Sequence, residues 1–118
     1  MMPRHDSRTI VEKVDYVAGV GYPGGLEGRL KLGLRRGGPE LVITPKCFFD
    51  FDKQEGRMKV RSIHPGVSRD DLRASTGFDL GNLDEVPETP VPTDEEISII
   101  RNEIDPRGIL LGPTQAAA

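Results

Sequence analysis

Apolar and polar positions divide the chain into short elements punctuated by glycine and proline. Residues 9–17 read Thr-Ile-Val-Glu-Lys-Val-Asp-Tyr-Val. Their β-branched and aromatic content predicts a strand. Ile10, Glu12, Val14 and Tyr16 fall on one face, and Thr9, Val11, Lys13, Asp15 and Val17 on the other. Alternation is imperfect, as in a strand only partly covered. It starts near residue 1, so its pairing partners come later in the chain or from another chain.

Glu40-Leu41-Val42-Ile43-Thr44 is an apolar run between Pro39 and Pro45, which predicts a buried strand. Cys47 to Asp52 and Arg57 to Ile63 predict two more, joined by the polar turn Lys53-Gln54-Glu55-Gly56 and paired antiparallel. In the last of these, Met58, Val60 and Ser62 alternate with Lys59 and Arg61, giving one apolar and one charged face.

Two helix starts are legible. Ser68 precedes Arg69-Asp70-Asp71, an N-cap with acidic residues where the helix dipole favours them. Leu72 and Thr76 would face inward, and Gly77 is placed to end that helix as its C′ residue. Phe78 to Val86 is irregular, and Pro87, Pro90 and Pro92 extend the chain. Thr93 followed by Glu96 forms a capping box, with Ile97, Ile100 and Ile104 as the apolar stripe and Asp105-Pro106 as the stop. The expected fold is α/β, with a central antiparallel hairpin and a C-terminal helix, in a single domain spanning 1–118.

Glycine changes this picture in one place. Eight of the 14 glycines lie between residues 19 and 38. Leu26, Leu30 and Leu34 recur at spacing four, enough for a marginal helical turn within a long loop. A long loop in a compact domain is a functional candidate.

Composition removes several function classes. The formal charge is −3, with two tyrosines and no tryptophan, a poor match to nucleic-acid binding. No apolar run approaches the roughly 18 residues of a membrane span. Met1 to Ile10 lacks the apolar stretch of a signal peptide. The single cysteine, Cys47, allows no internal disulfide, and a cytoplasmic protein is expected. His5, His64 and Cys47 stand far apart in sequence, so no metal site is expected.

The remaining constellations each carry a plain reading. Cys47 leads an apolar strand, where a buried structural thiol is the ordinary outcome. Asp50 and Asp52 could pair as carboxylates or simply be solvated charge before a turn. Gly19-Val20-Gly21 resembles half of a dinucleotide fingerprint, but Pro23 and the Gly24-Gly25 pair make a poor helix start. Arg35-Arg36-Gly37-Gly38-Pro39-Glu40 either is a tight turn feeding a strand or presents backbone N–H groups, beside two arginines, to an anion or developing oxyanion.

Six segments in order carry a resemblance: Arg8 to Tyr16, Gly37-Gly38-Pro39, Val42-Ile43-Thr44, Phe49-Asp50-Phe51-Asp52, Ser62 to Val67, and Thr76-Gly77-Phe78. Together they resemble the C-terminal part of the beta subunit of family I coenzyme A transferases, including the glutaconate CoA-transferase and steroid-ring-degradation types. The resemblance spans residues 5–109, with 1–4 and 110–118 as tails. It implies an open CoA-transferase-like α/β sheet and an alpha-subunit partner. The substrate it implies is coenzyme A or acyl-CoA, with no permanently bound cofactor.

The resemblance also implies transfer of CoA between carboxylic acids through a glutamyl thioester, or hydrolysis of a ring in a CoA-linked substrate. The family's glutamate sits in a Ser-Glu-Asn-Gly type motif. None of Glu12, Glu27, Glu40, Glu55, Glu85, Glu88, Glu95, Glu96 and Glu103 precedes Asn-Gly. The chain is thus expected to supply no catalytic residue, to act only with partner chains, and to line the substrate cleft with Arg36, Gly37, Gly38 and Pro39. The alternative is a non-catalytic scaffold or interaction domain on the same fold. Either way, an uncovered sheet edge predicts an oligomer.

Overall fold

A computed structural model describes residues 1–35 and 37–110. Its centre is a three-stranded antiparallel sheet in the order β1 (Val42–Ile43), β2 (Cys47–Phe51), β3 (Met58–Ile63). The expected run 40–44 shrinks to two strand residues, with Val42 opposite Phe49 and Ile43 opposite Phe48. The β2–β3 ladder pairs Cys47 with Ile63 and Phe51 with Met58, and a bulge at Phe48/Phe49 leaves Arg61 unpaired in register. Lys59 and Arg61 point to solvent, while Ser62 and Ile63 are buried, so the alternation read from sequence is realised.

Asp52 makes the hairpin turn. Its carboxylate accepts the N–H groups of Gln54 and Glu55 at 2.8 and 3.0 Å, and those bonds hold its pKa below the usual carboxylate value. Asp52 is therefore a turn residue. Asp50 lies within β2, and its Oδ1 is buried without a hydrogen-bond partner among the described residues, so it is not the solvated charge that the second reading expected.

Helix α2 (Arg69–Ser75) sends Leu72 into the core beside Cys47, Phe49 and Ile63. Ser68 caps it through the Asp71 N–H at 3.1 Å, and Leu72 and Thr76 turn inward as expected. Gly77 behaves otherwise. It does not adopt the left-handed conformation of a C′ glycine, and Thr76 ends the helix in extended conformation. Gly77 is needed for closeness instead: a Cβ there would meet the Ile10 carbonyl at 2.7 Å, and its own N–H donates to that carbonyl. The core is Ile10, Cys47, Phe49, Ile63, Leu72 and Leu83.

The segment after α2 returns along β3. Thr89 N–H donates to the Ile63 carbonyl and Ile63 N–H to Pro87, giving a parallel bridge at Glu88. The Thr93/Glu96 capping box forms as read, starting α3 (Asp94–Ile99), which passes into a π-helical turn, Ile100–Ile104. Among the described residues, Pro90, Ile99 and Ile104 line a hollow of about 550 Å³, and Val11, Met58 and Phe78 line one of about 220 Å³.

The expected strand over 9–17 does not form. Only Val11 pairs, in a single parallel bridge with Gly77. A strand needs a partner for its N–H and C=O groups, and no described segment supplies one beyond that point. The radius of gyration, 17.0 Å, exceeds the about 13–14 Å of a compact chain of this length, in keeping with segments that extend from a small core.

Candidate functional site

The glycine-rich loop is ordered around a short helix, α1 (Gly25–Lys31). Gly24 and Gly25 both sit in left-handed conformation, and a Cβ on Gly25 would strike the Gln54 carbonyl. The Gly-Gly pair thus lets the loop press against the β2–β3 turn. Leu26 N–H donates to the Lys53 carbonyl at 2.7 Å and Gly25 N–H to the Tyr22 carbonyl at 3.1 Å. Those two donors are spent inside the protein and not on a pyrophosphate, which counts against the fingerprint reading of Gly19-Val20-Gly21.

Arg29 closes the loop. Its Nη1 donates to the carbonyls of Val20 and Gly21, each at 2.8 Å, and its Nε donates to the Arg35 carbonyl at 3.0 Å. One guanidinium therefore ties the limb before α1 to the limb entering the Gly37-Gly38 turn. Sequence reading missed Arg29, because its partners are backbone carbonyls, which carry no residue code.

Gly37 and Gly38 have φ of 103° and 130°, open to glycine and strained for other residues. A Cβ on Gly37 would meet nothing within 4 Å, whereas one on Gly38 would lie 2.9 Å from the Tyr22 ring. The turn is exposed on its outer side and rests on Tyr22 on its inner side. Pro39 lies against Gly21, and Glu40 pairs with Lys53 Nζ at 3.0 Å, which raises the lysine pKa. Arg36, the other expected cleft residue, lies outside the described residues.

The Tyr22 hydroxyl beneath the turn is buried and has no hydrogen-bond partner among the described residues. Its ring packs at 5.7 Å from Phe51. Gly56 shares this floor, since a Cβ on it would strike the Tyr22 carbonyl. The Gly37-Gly38-Pro39 turn is thereby carried on the β2–β3 hairpin.

Cys47 stays a structural thiol. It is fully buried, and burial pushes its pKa up to about 11, so it is no nucleophile at neutral pH. His5 is bonded to the Thr44 hydroxyl at 2.9 Å, which also contacts Cys47, and to the Thr76 hydroxyl at 3.0 Å. Among the described residues, no group of three or more His, Cys, Asp or Glu gathers as a metal site. No helix among them is long and apolar enough to cross a membrane.

No family model matches the chain. The B subunit of glutaconate CoA-transferase from Acidaminococcus fermentans is 37% identical over 98% of this chain and 44% of that protein. The crystal structure of glutaconate coenzyme A-transferase from that organism superposes with a TM-score of 0.81 and 36% identity, over 93% of this chain and 42% of its own. The chain is a relative of the CoA-transferase B subunits. It shares their fold, as the six ordered segments implied. A cholesterol ring-cleaving hydrolase IpdB subunit of Mycobacterium tuberculosis is also similar, 36% identical over 89% of this chain and 41% of that protein. This CoA-transferase-like chain spans less than half the length of the relatives it matches.

Proposed function

We propose that this chain is the C-terminal part of a CoA-transferase beta subunit, acting in the cytoplasm with an alpha subunit and with the part of the beta fold that bears the nucleophile. Its substrate is acyl-CoA, and its reaction is transfer of CoA between carboxylic acids. The observation that carries the reading is the Gly37-Gly38-Pro39 turn, braced by Arg29 and supported by Tyr22 and the hairpin. Backbone donors on a braced turn suit a thioester carbonyl whose oxygen gains charge on attack. Arg36 adds positive charge for a carboxylate or phosphate.

The chain's own chemistry sets its share of the work. With Cys47 buried and no glutamate before Asn-Gly, it binds and orients but does not form the covalent intermediate. A second reading, hydrolysis of a ring in a CoA-linked substrate, is supported by the similarity to the cholesterol ring-cleaving subunits. A scaffold without catalysis would keep the fold and leave the turn without a task.

Gly38→Val in the assembled enzyme is the test, because it drives a side chain into Tyr22 and changes the turn. Turnover and substrate affinity should both fall. Wild-type values for both would remove the turn from the site. Transfer by the assembled enzyme separates the two reactions: a CoA acceptor acid consumed mole for mole with acyl-CoA supports transfer, and ring opening without an acceptor supports hydrolysis.

A further inference from the structure

The segment 11–19 has the composition of a strand but, beyond the single Val11–Gly77 bridge at its start, none of a strand's bonds. Among the described residues, no backbone N–H or C=O from Lys13 to Gly19 takes part in a backbone hydrogen bond. Its apolar side chains are correspondingly uncovered: Val14 is 51%, Val17 59% and Tyr16 83% exposed. Bare edges of this kind are templates for another strand.

The segment is nevertheless moored at its start. Ile10 is buried in the core, its carbonyl accepts the Gly77 N–H at 2.7 Å, and Glu12 pairs with Arg57 at 3.5 Å. The cavity of about 220 Å³ beside it is lined by Val11, Glu12, Met58 and Phe78. The chain thus leaves the core in a fixed place and then runs on with unpaired backbone next to a partly apolar hollow.

We infer that residues 11–19 are a strand completed by β-addition, and that the added strand comes from the portion of a CoA-transferase beta chain that this chain does not match. The relatives' extra length argues for that occupant: more than half of each matched relative has no counterpart here. Main-chain bonds would supply affinity, and side chains entering the hollow at Val11, Met58 and Phe78 would supply register. The inference rests on the family reading above and specifies the surface through which the partner segment joins.

The probe is the unmatched portion of the B subunit of Acidaminococcus fermentans glutaconate CoA-transferase, expressed as a separate polypeptide and mixed with this chain. Amide hydrogen exchange of residues 11–19 should be fast alone and slow at least about tenfold on mixing. Val14→Pro, at an exposed position without a backbone bond, should weaken association at least about tenfold while exchange in α2 stays unchanged. No association at micromolar concentration, or association with 11–19 still fast, overturns the inference. Protection that appears in this chain alone as its concentration rises also overturns it, assigning the edge to a second copy. Protection of 11–19 in a complex that transfers no CoA leaves this surface standing and counts against the proposed function instead.

Discussion

His5 Nε2 lies 3.0 Å from the Thr76 hydroxyl, which itself donates to the Leu72 carbonyl at 2.8 Å. The Thr44 hydroxyl likewise donates to the Cys47 carbonyl at 2.9 Å, and it lies 2.9 Å from His5 Nδ1, so the imidazole bridges two hydroxyls that are each tied to a backbone carbonyl. The ring stacks 5.8 Å from Phe49. Two residues 71 positions apart thereby fasten the N-terminal segment over the core.

This arrangement sets a pH dependence. Burial, followed by the positive charge of Lys46, lowers the His5 pKa, with Asp71 and Asp6 opposing. The unfolded chain therefore binds more protons than the folded one just below the ordinary histidine value of about 6.5. Stability from this group is present above that value and is lost as pH falls through the folded pKa. Urea unfolding from pH 7.5 to 5 should show that decline, and His5→Gln should flatten it. An equal slope in both proteins would contradict the assignment.

Gly77 offers a test of close approach. Gly77→Ala places a methyl group against the Ile10 carbonyl, and should cost about 1–3 kcal/mol. An αL-type helix stop would respond at Gly77 in the same direction, but Asn would rescue it there. Here Gly77→Asn should be at least as damaging as Ala in denaturant titration.

Tyr22 should behave in the opposite sense. Its hydroxyl is buried without a partner among the described residues, so Tyr22→Phe removes a desolvated polar group and keeps the ring. Stability should hold or rise by up to about 1 kcal/mol. A loss larger than that would show a hidden partner for the hydroxyl.

Cys47 should resist alkylation. With full burial and a thiol pKa of about 11, native protein at pH 8 should react with iodoacetamide far more slowly than protein in denaturant. Equal rates would mean that β2 opens readily.

Much of the sheet was legible because its signals are local. Alternation from Met58 to Ser62, the turn at Asp52–Gly56 and both N-caps depend on neighbours a few residues away. The strand at 9–17 was not legible as an unpaired segment, since a sequence records β-propensity but not whether a partner is at hand. The Gly37-Gly38-Pro39 turn was readable from its glycines, yet its support was not. Arg29 grips carbonyls, and Tyr22 reaches Gly38 from the other limb of the loop. Gly77 shows the same limit: one residue type serves a left-handed stop or a close approach, and only packing decides which.

On the proposed function, this chain contributes a binding surface, not a nucleophile, to CoA transfer. The most direct measurement follows labelled CoA from acetyl-CoA to a dicarboxylic acid acceptor. It compares this chain alone with the assembly containing an alpha subunit and the glutamate-bearing beta segment. Transfer by the assembly, none by the chain alone, and a drop with Gly38→Val are the predicted results. Transfer by the chain alone, or an assembly that stays inactive, would contradict that role.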